Sequence, residues 1–174
     1  MAKKQNNTKR LAVCAMLSAM GVILLYIGSV VEVMDISLAV IASLTCVFAV
    51  IEYGGSAPWL VFAVTSVLSV ILLPQKAPAV MYVLFFGFYP ILKERFEKMR
   101  PAVCWALKEA VFNASLILIV ISLRFLLFAG VDIPLMMYVI AVVVCEVIFL
   151  LYDFALTRLI SLYVYRLRKR LRIK

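Results

Sequence analysis

One long apolar run, PAVCWALKEAVFNASLILIVISLRFLLFA over residues 101–129, is interrupted by Lys108, Glu109, Asn113 and Arg124. Ionisable groups are costly in hydrocarbon, so each must face a protein interior, a watery cavity or a partner. At about 100° per residue, Glu109, Asn113 and Arg124 share one helix face. Lys108, Ser115 and Ser122, spaced by sevens, make a second polar line beside it. The next apolar segment carries two acids, Glu146 and Asp153, again seven apart. Glu146 lies roughly 18 Å into its helix, near the middle of a bilayer. Two chemistries fit it: a buried clamp to Asn113 or Ser115, or a group that handles a ligand or a proton. Asp153 matches Lys108 in depth, either as an ion pair or as two snorkelling groups.

Catalytic frameworks are missing. The sequence has no Walker A loop, no HExxH zinc site, no GxSxG nucleophile elbow and no histidine. Cys14, Cys46, Cys104 and Cys145 all lie in apolar segments and form no CxxC pair. That pattern suits small buried side chains, not a zinc site or a disulfide framework. We expect neither an enzyme nor a metal or cofactor. The net charge of +9 would suit nucleic acid, but no polar domain exists to carry such a surface. No nucleic-acid partner is expected.

The elements that must hold these residues are long and apolar. Hydrophobic residues make up 67% of the chain and charged ones 16%, with a mean hydropathy of +1.13. A chain of 174 residues with so few polar loops has room for about six spans of roughly 20 residues. The expected fold is an all-α membrane protein, a single polytopic bundle of about six transmembrane helices in the lipid bilayer. Turn signals put the helices at about 11–31, 36–51, 58–73, 79–92, 102–129 and 134–157, followed by a basic tail over 158–174. Glu32–Asp35 and Gly54-Gly55 mark turns, and Pro58 suits a first helical turn. Pro74 and Pro78 bracket another turn, while Gly87 and Pro90 weaken the fourth helix. That helix is expected to run on into KERFEKMR by snorkelling. Ala39, Ala42, Ser43, Cys46 and Ala49 form a small-residue stripe that lets helix backbones approach closely. Thr65, Ser66 and Ser69 are candidates for interhelical hydrogen bonds.

Charge sets the orientation. Fifteen of the eighteen Lys and Arg residues fall in the N-terminal segment, the 93–100 loop and the tail, which alternation puts on one side. The positive-inside rule then makes both termini cytoplasmic. Trp59 and Trp105 fall at inner helix ends, as interfacial aromatics do. On the opposite side, Arg124 lies about a turn below the surface, near the level of Tyr138. Tyr26, Tyr82 and Tyr138 occupy the outer thirds of their helices, on the side of Gln75, Lys76, Glu32, Asp35 and Asp132. These residues either line an outward-facing pocket or form an aromatic belt around a snorkelling arginine. The candidate ligand-binding set is Arg124, Tyr26, Tyr82, Tyr138, Asn113 and Glu146.

The first helix carries a family signal. KRLAVCAMLSAMGVILL sets a basic lead before Ala12, Ala15 and Ala19. It resembles the first helix of the substrate-binding S components of energy-coupling factor (ECF) vitamin transporters. In that family an Ala-x-x-x-Ala pattern contacts the shared coupling subunit, and Ala15-Met16-Leu17-Ser18-Ala19 matches it. The resemblance implies six helices, a vitamin-like small-molecule ligand near the outer face, and ATP hydrolysis by separate ATPase subunits. Family members often have a longer lid than the 32–35 turn found here. Two other readings stay open: a cell-shape scaffold similar to MreD without a ligand pocket, and a stand-alone carrier using Glu146 and Arg124.

Overall fold

The computed structural model describes residues 2–126 and 135–163, with side chains for 8–31, 33–122, 136 and 140–163. All regular structure among the described residues is helical. The elements are α1 (Ala2–Val30), α2 (Asp35–Glu52), α3 (Ala57–Leu72), α4 (Ala77–Met81), α5 (Tyr89–Phe96), α6 (Pro101–Leu126) and α7 (Leu135–Leu162). A 3₁₀ turn at Glu32–Met34 joins α1 to α2, and a π-helical segment, Tyr82–Phe86, continues α4. Four stretches are long and apolar enough to cross a membrane: Thr8–Val30, Asp35–Glu52, Pro101–Ser122 and Ile140–Leu162. Ala57–Leu72 is apolar but shorter. The chain divides into two compact units, residues 1–127 and 128–174.

In the first unit α2 is the hub, touching α1, α3, α4, the π segment and α5. Its sequence explains why. Ala39, Ala42, Ser43, Cys46 and Ala49 are all fully buried, so the small-residue stripe is where neighbours close in. Small residues let helix backbones approach closely, where van der Waals packing holds them together. Helix α1 answers with its own inward stripe, Cys14, Ser18, Gly21, Leu25 and Gly28, at alternating spacings of four and three. A Cβ on Gly21 would stand 3.1 Å from Thr65 Cγ2 and 3.2 Å from Thr45 Oγ1. Glycine there lets α1 approach α2 and α3 together.

The turns follow their chemistry. Gly54 and Gly55 have φ of 55° and 57°, the left-handed region that glycine adopts without strain. Arg10 Nη2 donates to the Gly54 carbonyl at 3.2 Å and to Ser56 Oγ at 3.3 Å. The basic lead of α1 is thereby tied to the α2–α3 turn. At the other end of α3, Lys76 Nζ donates to the carbonyls of Val70 (2.8 Å) and Leu73 (2.7 Å). These are carbonyls that a helix end leaves without intrahelical donors. Lys76 is therefore a helix cap, and the expected pocket-lining role is not what occupies its ammonium.

The fourth expected helix, 79–92, differs most from expectation. It is three pieces: α4, the π segment, and α5, which Pro90 starts instead of ending. Proline lacks an N–H but fits the first turn, where none is needed. The Gly87 N–H closes the π turn on the Tyr82 carbonyl at 2.7 Å. A Cβ at Gly87 would lie 2.6 Å from Phe62 Cδ2, so glycine makes room for that ring. Helix α6 packs on α4, the π segment and α5. In the second unit, Phe149, Tyr152, Asp153 and Leu156 make the one protected stripe among the described residues of α7.

Candidate functional site

Two sets of polar side chains are buried in the first unit, one deep and one at a helix end. The deep set centres on Tyr82, which the π segment presents to α2 and α3. Its hydroxyl lies 3.2 Å from Cys46 Sγ, and both residues are fully buried. Thr45 and Thr65 complete the cluster around it. Thr45 Oγ1 donates to the Ala42 carbonyl at 2.8 Å. Ser18, Ser29, Ser43 and Ser69 likewise donate to carbonyls three or four residues back. Thr65 and Ser66 do not: their hydroxyls are buried with no partner at hydrogen-bonding geometry, although Thr65 stands near the Tyr82 hydroxyl. Of the three residues expected to bond between helices, Ser69 spends its hydroxyl on a back-bond within α3, and Thr65 is the one that stands beside a hydroxyl of another element, Tyr82.

Aromatic rings brace this cluster on both sides. Phe62 lies 6.3 Å from the Tyr82 ring and 6.2 Å from Phe88. Phe85 meets Tyr89 at 4.9 Å and Phe112 of α6 at 5.4 Å. Edge-on and offset contacts of this kind contribute about 0.5–1.5 kcal/mol beyond area burial.

The second set joins α5 to α6. Lys93 Nζ lies 3.3 Å and Lys108 Nζ 3.8 Å from the same oxygen, Glu97 Oε1. The lysine side chains are 1% and 6% exposed, while Glu97 is 41% exposed. The Lys108 ammonium also stands over the Trp105 ring, 5.4 Å from its centroid. Buried ammonium groups are rare unless paired. Snorkelling, expected for the 93–100 stretch and one of the two readings for Lys108, would put the ammonium in water; here both lysine side chains are buried. The reason is local: Tyr89, Lys93 and Phe96 form one inward stripe of α5, and a carboxylate waits at its end.

Among the expected site residues of the first unit, Tyr82, Tyr26 and Asn113 have different settings. Tyr82 is fully buried, whereas Tyr26 on α1 is 48% exposed. Asn113 is exposed, and its amide donates to the Glu109 carbonyl one turn back at 3.1 Å. Glu146 is half-buried on α7. Arg124 and Tyr138 lie within α6 and α7, but their side chains fall outside the described residues, as does Asp132 altogether. Ala15 and Ala19 lie on the exposed face of α1, opposite its packed stripe.

Against family models, curated proteins and solved structures, the chain finds no match. Its chemistry is therefore read from its own residues. Sequence reasoning missed Lys93, Glu97, Cys46 and Thr45 as parts of polar clusters. A signal for Lys93 did exist, since Tyr89, Lys93 and Phe96 repeat at helical spacing. Gly87 and Pro90 masked it by suggesting a helix end.

Proposed function

We propose that the chain is a six-span integral protein of the cell membrane with both termini cytoplasmic. We further propose that it is the small-molecule-binding subunit of a multi-subunit transporter, similar to ECF S components and vitamin-like in its ligand. The observation that carries the reading is the exposed Ala15/Ala19 face of α1. The helix packs internally through Cys14, Ser18, Gly21 and Gly28, so the Ala-x-x-x-Ala groove stays available to another subunit. Separate ATPases would supply the energy that a chain without a P-loop cannot. The ligand is assigned to Arg124, Tyr26, Tyr82, Tyr138, Asn113 and Glu146, with Arg124 suited to a carboxylate, phosphate or ring carbonyl.

Co-purification tests this. Wild-type protein should bring down a membrane coupling subunit and ATPases, and Ala15→Leu/Ala19→Leu should lose both while remaining folded. Recovery of cell-wall assembly proteins in their place would favour the MreD-like scaffold. Undiminished complex in the double variant would refute the docking role of this face.

A further inference from the structure

We infer that the first unit is built for a hydrocarbon layer of about 24 Å, several ångströms thinner than an average bilayer, so the lipid that fits it has short acyl chains. The inference rests on the membrane placement proposed above, but not on the transporter assignment.

Three helices give nearly the same height. Asp35 and Glu52 are the first and last residues of α2, roughly 25 Å apart along its axis. Helix α3 has 16 residues, or about 24 Å, and Lys76 pins its far end. The Lys76 stem folds back along α3, so its ammonium meets the Val70 and Leu73 carbonyls at 2.8 and 2.7 Å. A snorkelling lysine reaches away from the bilayer centre; this one reaches toward it. Water or headgroups must therefore come down to the last turn of α3. On α6, Lys108 and Arg124 stand roughly 24 Å apart along the axis. Lys108 marks one face of the layer through Glu97, whose carboxylate lies 3.8 Å from its ammonium and is 41% exposed. An exposed carboxylate does not stand in hydrocarbon. Trp105, half exposed one turn before Lys108, takes the interfacial position that tryptophan favours.

Helix α1 is longer, since about 30 Å separates Leu11 from Val30. Arg10 holds its basic end level with the α2–α3 turn through Gly54 and Ser56. A long helix fits a thin layer by tilting, whereas a short one cannot stretch to fill a thick layer. The short helices therefore set the height. The same height accounts for the charges on α6: in a layer of about 24 Å, Lys108 and Arg124 stand at its two faces and not within it.

The experiment measures the apparent Tm of the full chain in nanodiscs of phosphatidylcholines that differ only in chain length. Dimyristoleoyl, dipalmitoleoyl, dioleoyl and dierucoyl lipids form the series. Tm should be highest in one of the two shorter lipids and roughly 5 °C lower in dierucoyl lipid. A flat profile, or a Tm that rises through dioleoyl to dierucoyl lipid, would overturn the inference. Lys76→Met/Arg124→Met extends the apolar height of α3 and α6 on one side, so the fall should at least halve. Should that pair not fold, Lys76→Met alone should lessen the fall, whatever its effect on Tm in any one lipid. Lys98→Gln, a charge change outside these heights, should leave the fall whole. A fall undiminished in the Lys76 and Arg124 variants, or diminished equally by Lys98→Gln, would show that these heights do not set the preference. Failure of the chain to enter any of the bilayers would be a failure of the membrane placement, visible before thickness is compared.

Discussion

Two stripes of small residues, one on α2 and one on α1, have the same kind of spacing and opposite fates. Ala39, Ala42, Ser43, Cys46 and Ala49 of α2 are fully buried, whereas Ala12, Ala15 and Ala19 of α1 are exposed. Small residues three and four apart always make a shallow groove. What enters the groove is decided by competition with the other faces of the same helix. Helix α1 has a second stripe in which Gly21 and Gly28 replace alanine, and glycine lets another backbone come closer still. At Gly28 a Cβ would already stand 3.2 Å from Leu38 Cβ. The glycine side therefore won the internal contact, and the alanine side was left over.

The largest effect is expected on α2. Ala42→Leu/Ala49→Leu should destabilise by about 1–3 kcal/mol per site, because each added isobutyl group must displace a packed helix. Thermal unfolding in detergent measures it; a near-native Tm would mean that the α2 groove is not a packing contact. Next in size is Gly87→Ala. Its new methyl would stand 2.6 Å from Phe62, and Trp59 and Phe88 hem that ring in at 6.1 and 6.2 Å. We expect a loss of about 1–3 kcal/mol by the same overpacking. Gly87→Ala with unchanged stability would show that the π segment can rotate away from Phe62.

Thr65→Val should have a smaller effect, and of opposite sign. Removal of a buried hydroxyl without a partner should leave stability unchanged or raise it by up to about 1 kcal/mol. A clear loss would mean that Thr65 bonds the Tyr82 hydroxyl and that the cluster is a working network. Smallest of all is Ala15→Leu/Ala19→Leu, whose stability should stay within about 0.5 kcal/mol as for other surface changes. Lost stability there would place the α1 groove beside that of α2 as an internal contact, and the comparison would collapse.

Lysine positions sharpen the point in polar terms. Lys98 is exposed and makes a 2.8 Å pair with Glu94 one turn back, an arrangement of little net consequence. Lys93, five residues earlier in the same charged stretch, is buried. Charge alone does not tell them apart. The stripe through Tyr89 and Phe96 does, because a side chain at that spacing must turn with its neighbours.

Much of this architecture was written in one dimension. Hydropathy, together with the glycine and proline positions, located α1, α2, α3, α6 and α7 to within a few residues at most boundaries, since a helix satisfies its own backbone locally and needs no distant residue to define it. The α2 stripe was legible for a related reason: spacing along one helix is a local property. Other features depended on distant neighbours, and these were decided only in three dimensions. Whether Ala15 and Ala19 faced inward hinged on Gly21 and Gly28 finding Thr45, Thr65 and Leu38 across α2 and α3. Whether Lys93 and Lys108 were buried or exposed hinged on what surrounds them where α5 meets α6, Glu97 included. The π turn at Tyr82–Phe86 formed where a phenol had to reach Cys46 while Gly87 yielded to Phe62. Periodicity says which residues share a face, but only packing against another helix says what that face meets.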